Sequence, residues 1–307
     1  MRIVSYDQLN DPDGFLKLME SAFFWPAHPD RVAEIRKLDE RFRDCYGYAL
    51  VSGRTVAGFV GTADILARTR DGKVEKVLGI HHVATLPGFA RKGIAAQLFE
   101  HVEDEYRRKS YRFSFLFTSR SLVAWHLYRK LGYADLPTME VAPRAHKLFP
   151  KAEKAKKQKK GKRQKIDYKL VERLHAELAG KYCGFAVRSP GWLKALEKIW
   201  EVGPGSIVAT RDGYAITENF RNALWIDEIL CRNRAAYVRT LDRLLKRRPE
   251  VLVDCGVWDP VLERIYRERG FRFRRKNYGT LMARPLGKAS VRSVFGPRFF
   301  WTPSDQF

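Results

Sequence analysis

Four cysteines in 307 residues, at Cys45, Cys183, Cys231 and Cys255, are too few and too scattered for a disulfide framework. No Cys-x-x-Cys pair offers a zinc site, and no metal is expected. That usage suits a reducing compartment. No apolar run is long enough to span a bilayer and the N-terminus has no secretory leader pattern, so the expectation is a cytoplasmic protein with no membrane partner. Asparagine and glutamine are scarce against 30% charged residues, a weak hint of a thermophilic source. Gly-x-Gly-x-x-Gly is missing, which argues against a dinucleotide site. Gly88 and Gly93 have the spacing of a nucleotide-triphosphate loop, but Ile94-Ala95 stands where Lys-Ser/Thr is needed, and that class is excluded.

What is present is a globular composition, 45% hydrophobic and 13% aromatic, in a chain long enough for two cores. The formal net charge of +23 would draw polyanions at low salt, though part of it sits in the run Lys151 to Lys165. The central stretch is Val77 to Tyr133. An apolar strand pattern there ends at Pro87-Gly88, two cations follow at Arg91 and Lys92, and after Gly93 a helix begins with Ile94, Leu98 and Val102 four apart. A strand, a cationic bend and a helix start make an anion site. The first helical turn has unpaired N–H groups and partial positive charge, and the glycine admits close backbone approach.

The loop resembles motif A of the GCN5-related N-acetyltransferases (GNAT), Gln/Arg-x-x-Gly-x-Gly/Ala, with Gly93 and Ala95 in the last two places and Ala90 where Gln or Arg is usual. Arg91 and Lys92 can make up the missing charge. Downstream, Ser121, Ala124, Tyr128, Gly132 and Tyr133 are similar to the family's Asn-x-x-Ala-x-x-x-Tyr-x-x-x-Gly-Phe/Tyr, with Ser in place of Asn. The resemblance implies an α/β fold with a mixed sheet and acetyl-CoA as co-substrate. It also implies cofactor contacts at Val83, Ala84, Thr85, Ala90, Arg91, Lys92, Gly93, Ile94 and Ala95, with Ser119 and Ser121 nearby. In the family two early helices lie over the acceptor cleft, which makes Phe24, Trp25, Glu34 and Asp39 candidates for contacting the amine. For each of these the bland alternative is a core aromatic or a solvated acid.

The expected layout is a catalytic domain over 1–148, a basic linker over 149–165, a second domain over 166–286 and an aromatic tail over 287–307. The first domain is read as two helices, Asp11 to Phe24 and Asp30 to Phe42, followed by a meander, the loop, a helix, a strand and a helix. Tyr266 to Phe271 echoes Tyr128 to Tyr133, so the second half is read as a tandem repeat of the same fold. It has Arg232-Asn233-Arg234 and no glycine where the first copy has Gly93, so its site is expected to be degenerate and its role to wall the acceptor cleft. The tail (Phe295, Phe299, Phe300, Trp301, Phe307) is too apolar to hang free and is expected to dock without forming a helix. The tandem layout and aromatic end resemble the enhanced-intracellular-survival (Eis) branch of the family, without its sterol-carrier-like third domain. That resemblance implies that the Phe307 carboxylate enters the first active site.

Acetyl transfer to an amine needs a held thioester, a neutral amine and a proton for the leaving thiolate. Tyr128 is the candidate acid, because a phenol with pKa near about 10 keeps its proton at neutral pH. His81 and His82 stand on the strand before the loop, and alternation lets at most one of them face the cleft. His82 and the Phe307 carboxylate are the rival bases. Two other functions stay open: a nucleic-acid-associated protein using Lys151 to Lys165, and a non-catalytic acyl-CoA-binding regulator. A homo-oligomer is also open.

Overall fold

The computed structural model describes residues 1–25, 27–137, 140–145, 166–199, 202–220, 222–247, 249–257, 259–275, 279–297, 299 and 301–305. The basic run at 151–165 lies outside them. The chain forms two compact units, Met1–Pro137 with Tyr278–Phe299 and Thr138–Asn277 with Phe300–Gln306.

In the first unit β1 (Arg2–Ser5) is followed by α1 (Pro12–Phe23) and α2 (Pro29–Leu38). Asp11 caps α1 by accepting from the Gly14 N–H at 2.9 Å, Pro12 opens its first turn, and Phe15, Leu18 and Met19 form its buried face. The helix expected to reach Phe42 ends at Leu38, where Asp39 turns its carboxylate to the Arg41 N–H and starts a 3-10 turn over Glu40–Phe42. The meander follows as β2 (Gly47–Ser52), β3 (Thr55–Arg68) and β4 (Val74–Thr85), and then come α3 (Ile94–Arg108), β5 (Phe113–Ser119), α4 (Val123–Lys130) and β6 (Ala134–Asp135). Ile94, Leu98, Phe99, Val102 and Tyr106 bury one face of α3 in the same core as Leu78, Ile80 and Leu116.

The second unit contains β7 (Glu140–Ala145), α5 (Tyr168–Ala179), α6 (Trp192–Ile199), β8 (Ile207–Thr210), β9 (Gly213–Phe220), β10 (Ala223–Cys231), α7 (Arg234–Leu245), β11 (Val251–Val257), α8 (Pro260–Glu268) and β12 (Arg274–Arg275). Its core joins Ile226 and Ile229 of β10 to Leu241 and Leu244 of α7 and to Leu262 and Ile265 of α8. The last elements are β13 (Gly279–Pro285) and α9 (Val291–Phe295).

Sheet order departs from the sequence reading at two strands. The first sheet runs β1-β2-β3-β4-β5-β13-β6 and the second β12-β7-β11-β10-β9-β8. Glu140–Ala145, read as part of the first domain, pairs with β11 and β12, and Gly279–Pro285, read as part of the second, pairs with β5 and β6. Both are short strands whose composition does not say which sheet they join. Main-chain register and one ion pair do: Arg284 of β13 meets Glu103 of α3 at 2.5 Å, and Glu103 is 1% exposed. The tail docks as its composition demands, but it also holds the short helix α9, capped by Ser290. Phe295 lies 5.3 Å from Phe113, and Phe299 stacks on Phe115 at 4.8 Å.

Candidate functional site

β4 and β5 run parallel only from Leu78–Ser114 to Ile80–Leu116, whereas β4 stays paired with β3 as far as Thr85–Gly58. Past Ile80 the β5-facing edge of β4 has no strand partner among the described residues. The cause is local. The β3–β4 register slips between Phe59 and Gly61, and His82 takes a left-handed φ of 45°, so β4 carries an extra residue and bends away. Val83, Ala84 and Thr85 are therefore on a strand edge whose main-chain groups are available to a ligand.

After Thr85 the chain makes a 3-10 turn at Pro87–Phe89 and reaches α3 through two left-handed residues, Arg91 at φ 61° and Gly93 at φ 76°. Gly93 is the N-cap residue and no side chain caps α3, so the N–H groups of its first turn face outward beside exposed Arg91 and Lys92. A Cβ at Gly93 would meet only the Gln97 side chain, 3.7 Å away, so backbone conformation and not crowding calls for glycine there. Lys92 Nζ sits 5.1 Å from the Phe89 ring centroid, which holds its charge over the turn.

Tyr128 lies on α4 in the core cluster that includes Ile94, with Val83 and Phe89 packed against it. The candidate acid, the strand edge and the loop thus share one body of side chains. Burial pushes the Tyr128 hydroxyl up to about 12, and it has no hydrogen-bond partner among the described residues. It is protonated at neutral pH and can donate.

His81 and His82 do not face opposite ways. The left-handed turn at His82 breaks strand alternation and brings the two Nδ1 atoms to 2.5 Å. The His81 ring is buried between Phe42 and Tyr46, and its Nε2 meets the Thr62 carbonyl at 3.2 Å. His82 stacks on Trp25 at 4.7 Å and 16° and receives the edge of Phe23 at 5.4 Å. Burial, then the neighbouring His82, puts His81 well below the usual imidazole range, and burial pushes His82 down to about 4. Both rings are neutral at pH 7.

Of the acceptor candidates, only Trp25 reaches this group. Phe24 ends α1 in a left-handed conformation and is 93% exposed. Glu34 is paired with Arg31 at 2.8 Å, and Asp39 is held by Arg41 at 2.6 Å. Ser119 and Ser121 bond each other at 2.8 Å between β5 and α4. Phe307 lies outside the described residues. Sequence reasoning missed Phe23 as a partner of His82 and missed the contact between the two histidines. Neither has a local signal, since both depend on the bend in β4.

A bent parallel pair opens onto an uncapped helix start behind a cationic bend. Residues 13–133 match the model of the acetyltransferase (GNAT) family, and this part of the chain is a domain of that family. Solved structures of similar fold include a GCN5-related N-acetyltransferase from Anabaena variabilis (16% identity, TM-score 0.66, covering 93% of this chain and 73% of that one). Others are Eis1 from Mycobacterium abscessus (15%, TM-score 0.63, 93% and 74%) and a tandem GNAT protein from the clavulanic acid biosynthesis pathway (14%, TM-score 0.50, 94% and 99%). At these identities the likeness is one of fold, and it extends over both units. No curated protein sequence matches the chain.

Proposed function

We propose that the protein is an acetyl-CoA-dependent N-acetyltransferase that acylates a primary amine, on a small molecule, a lysine side chain or a chain N-terminus, by direct attack in a ternary complex. The observation that carries this reading is the uncapped start of α3 behind left-handed Arg91 and Gly93, with the unpaired edge of β4 running back from it to His82. Main-chain N–H groups at Gly93, Ile94 and Ala95 take the diphosphate, and Arg91 and Lys92 add full charges. The β4 edge at Val83 to Thr85 holds the pantetheine arm by main-chain hydrogen bonds.

His82 then accepts a proton from the incoming ammonium, and the free amine attacks the thioester carbonyl. The C–N bond forms as the C–S bond breaks, the thiolate takes the Tyr128 proton, the acylated nitrogen sheds its second proton through water to restore the phenol, and His82 returns its proton to solvent. A neutral imidazole held near 4 is a weak base. Burial disfavours the charged form of an entering ammonium as well, which narrows the gap between them.

The test is calorimetric titration of coenzyme A into the Arg91→Glu/Lys92→Glu protein. Charge-assisted hydrogen bonds are worth about 1.5–3 kcal/mol each, so binding should weaken at least roughly tenfold with the circular dichroism unchanged. Wild-type affinity would refute the loop assignment. A thiol-release assay with mixed amines separates a transferase from a non-catalytic acyl-CoA binder. His82→Gln should lose kcat while a C-terminal extension keeps it, and the reverse pattern would move the base to the Phe307 carboxylate.

A further inference from the structure

A neutral imidazole has one N–H and one lone pair, and which nitrogen carries which is set by what each one faces. His81 Nε2 faces the Thr62 carbonyl oxygen at 3.2 Å, and a carbonyl can only accept. His81 is therefore an Nε2–H tautomer, and its Nδ1 is a lone pair. That lone pair meets His82 Nδ1, so the proton in the short contact belongs to His82. His82 then has its own lone pair on Nε2, the atom for which the described residues supply no partner.

We infer that His81 is a positioning residue whose bond to the Thr62 carbonyl fixes His82 as the Nδ1–H tautomer and leaves the His82 Nε2 lone pair for the amine.

The surroundings are built for this and not only for filling space. His81 can lie where it does only because residue 61 is glycine. A Cβ there would stand 2.3 Å, 2.4 Å and 2.7 Å from the ring's Cε1, Nδ1 and Nε2. Edge contacts from Phe42 and Tyr46 fix the ring's plane, and side-chain burial to 5% exposure removes water that could otherwise satisfy either nitrogen. Arg41, held by Asp39, adds a positive field that disfavours a second proton on His81. On the outer side the stack on Trp25 and the edge of Phe23 hold the His82 ring, so its one remaining freedom is the tautomer. In free imidazole both tautomers interconvert. Here the carbonyl of a β3 residue selects one of them through a second ring.

The inference rests on the reading of His82 as the base, and its test is independent of that reading. Two-bond 15N–1H correlation spectra of the full chain, labelled at histidine and free of ligand at pH 7.5, report which nitrogen is protonated. His82 should show a protonated Nδ1 and a bare Nε2, with the opposite pattern at His81. In His81→Phe, which keeps an aromatic ring but has no lone pair, the His82 signals should move toward the Nε2–H form. kcat should drop by roughly 10- to 100-fold, the scale of lost support behind a reacting group, with KM for acetyl-CoA unchanged. His81→Gln can donate its amide N–H to Thr62 and accept from His82 Nδ1, and should restore both the tautomer and a large part of kcat. A wild-type His82 protonated on Nε2 overturns the inference, as does an unaltered His82 tautomer in His81→Phe. If His81→Phe does not fold, the wild-type spectrum alone decides. Should the tautomers come out as stated while His82→Gln keeps full kcat, the base assignment fails and the positioning of the ring stands.

Discussion

The two units begin the same structural sentence and finish it differently. In each, a strand of the sheet core carries an extra residue. β4 has it around His82, and β10 has it between Ile226 and Glu228, where the register against β9 slips. A helix follows each strand. In the first unit the segment Leu86 to Gly93 intervenes, turns through two left-handed residues and leaves α3 uncapped. In the second, only Arg232 and Asn233 separate β10 from α7, and the Asn233 side chain accepts from the Ala236 N–H at 2.9 Å. Arg232 is taken by Glu177 at 2.6 Å and Arg234 by Glu268 at 2.5 Å. The lesson is that a cationic helix start is an anion site only while its N–H groups and its cations are unspent. The second unit has spent both on itself.

The bulges diverge in the same sense. His82 keeps one nitrogen unpartnered among the described residues, whereas Glu228 is 2% exposed and fully engaged. Its carboxylate takes Arg188 at 2.6 Å and Thr302 at 2.7 Å and is also bonded by Tyr214, while Arg188 also holds Asp305 at 2.7 Å and lies 3.6 Å from the Trp192 ring centroid. Removing the guanidinium would strand two carboxylates in the interior, so Arg188→Met should destabilise the second unit by ~3–5 kcal/mol, read by scanning calorimetry. His82→Gln should cost far less. If the two costs were reversed, the split between a structural bulge and a working one would fail. Acid tests the same network. Burial pushes the Glu228 carboxyl up, but Arg188 and then His175 outweigh it and hold it well below the usual range. Its stabilisation is therefore fully present above the ordinary carboxylate pKa of about 4.3 and lost as pH falls below that value. Tm should fall progressively as pH is lowered below about 4, and Glu228→Gln should flatten the slope.

Next in size is Tyr128→Phe. A positioned proton donor is commonly worth about 10²-fold or more, so kcat should fall by roughly that factor while coenzyme A affinity and Tm stay within error. The counterpart in the second unit is Tyr266, whose hydroxyl donates to Asp254 at 2.6 Å. Tyr266→Phe should lower Tm and leave kcat alone. A Tyr128→Phe protein with full turnover would make both tyrosines core residues and remove the acid from the mechanism.

Much of this contrast could be read from residues in a row. The loop, its cations and Gly93 are contiguous because an anion is gripped by consecutive N–H groups, and the helices announce themselves through apolar spacing such as Ile94, Leu98 and Val102. The tail's need to dock followed from its phenylalanines. What escaped were features that arise between distant segments. The destination of β7 and β13 is settled by main-chain register, which no side-chain pattern records. Contact between adjacent His81 and His82 contradicts strand alternation and follows only from the bend in β4 and the room above Gly61. The stack of Trp25 on His82 joins a loop after α1 to the last strand of the meander. Arg188, Glu228 and Asp305 read as ordinary surface charges until the fold buries them together.

The smallest expected effect is the one that separates two reasons why the second unit would take no coenzyme A. If Asn233 merely occupies a working anion site, then Asn233→Ala should uncover it, and titration with coenzyme A should change from one site per chain to two. If the missing loop is the reason, the same change exposes N–H groups that no bend can wrap around a diphosphate. The only consequence is then the lost cap, about 1 kcal/mol of stability and a small drop in Tm. The structure favours the second outcome, because Arg232 and Asn233 alone cannot supply the two left-handed turns that Arg91 and Gly93 make. Stoichiometry is the deciding measurement. One site in both wild type and Asn233→Ala places the difference between the units in the length of the connection, and a second site appearing in the variant would place it in a single side chain.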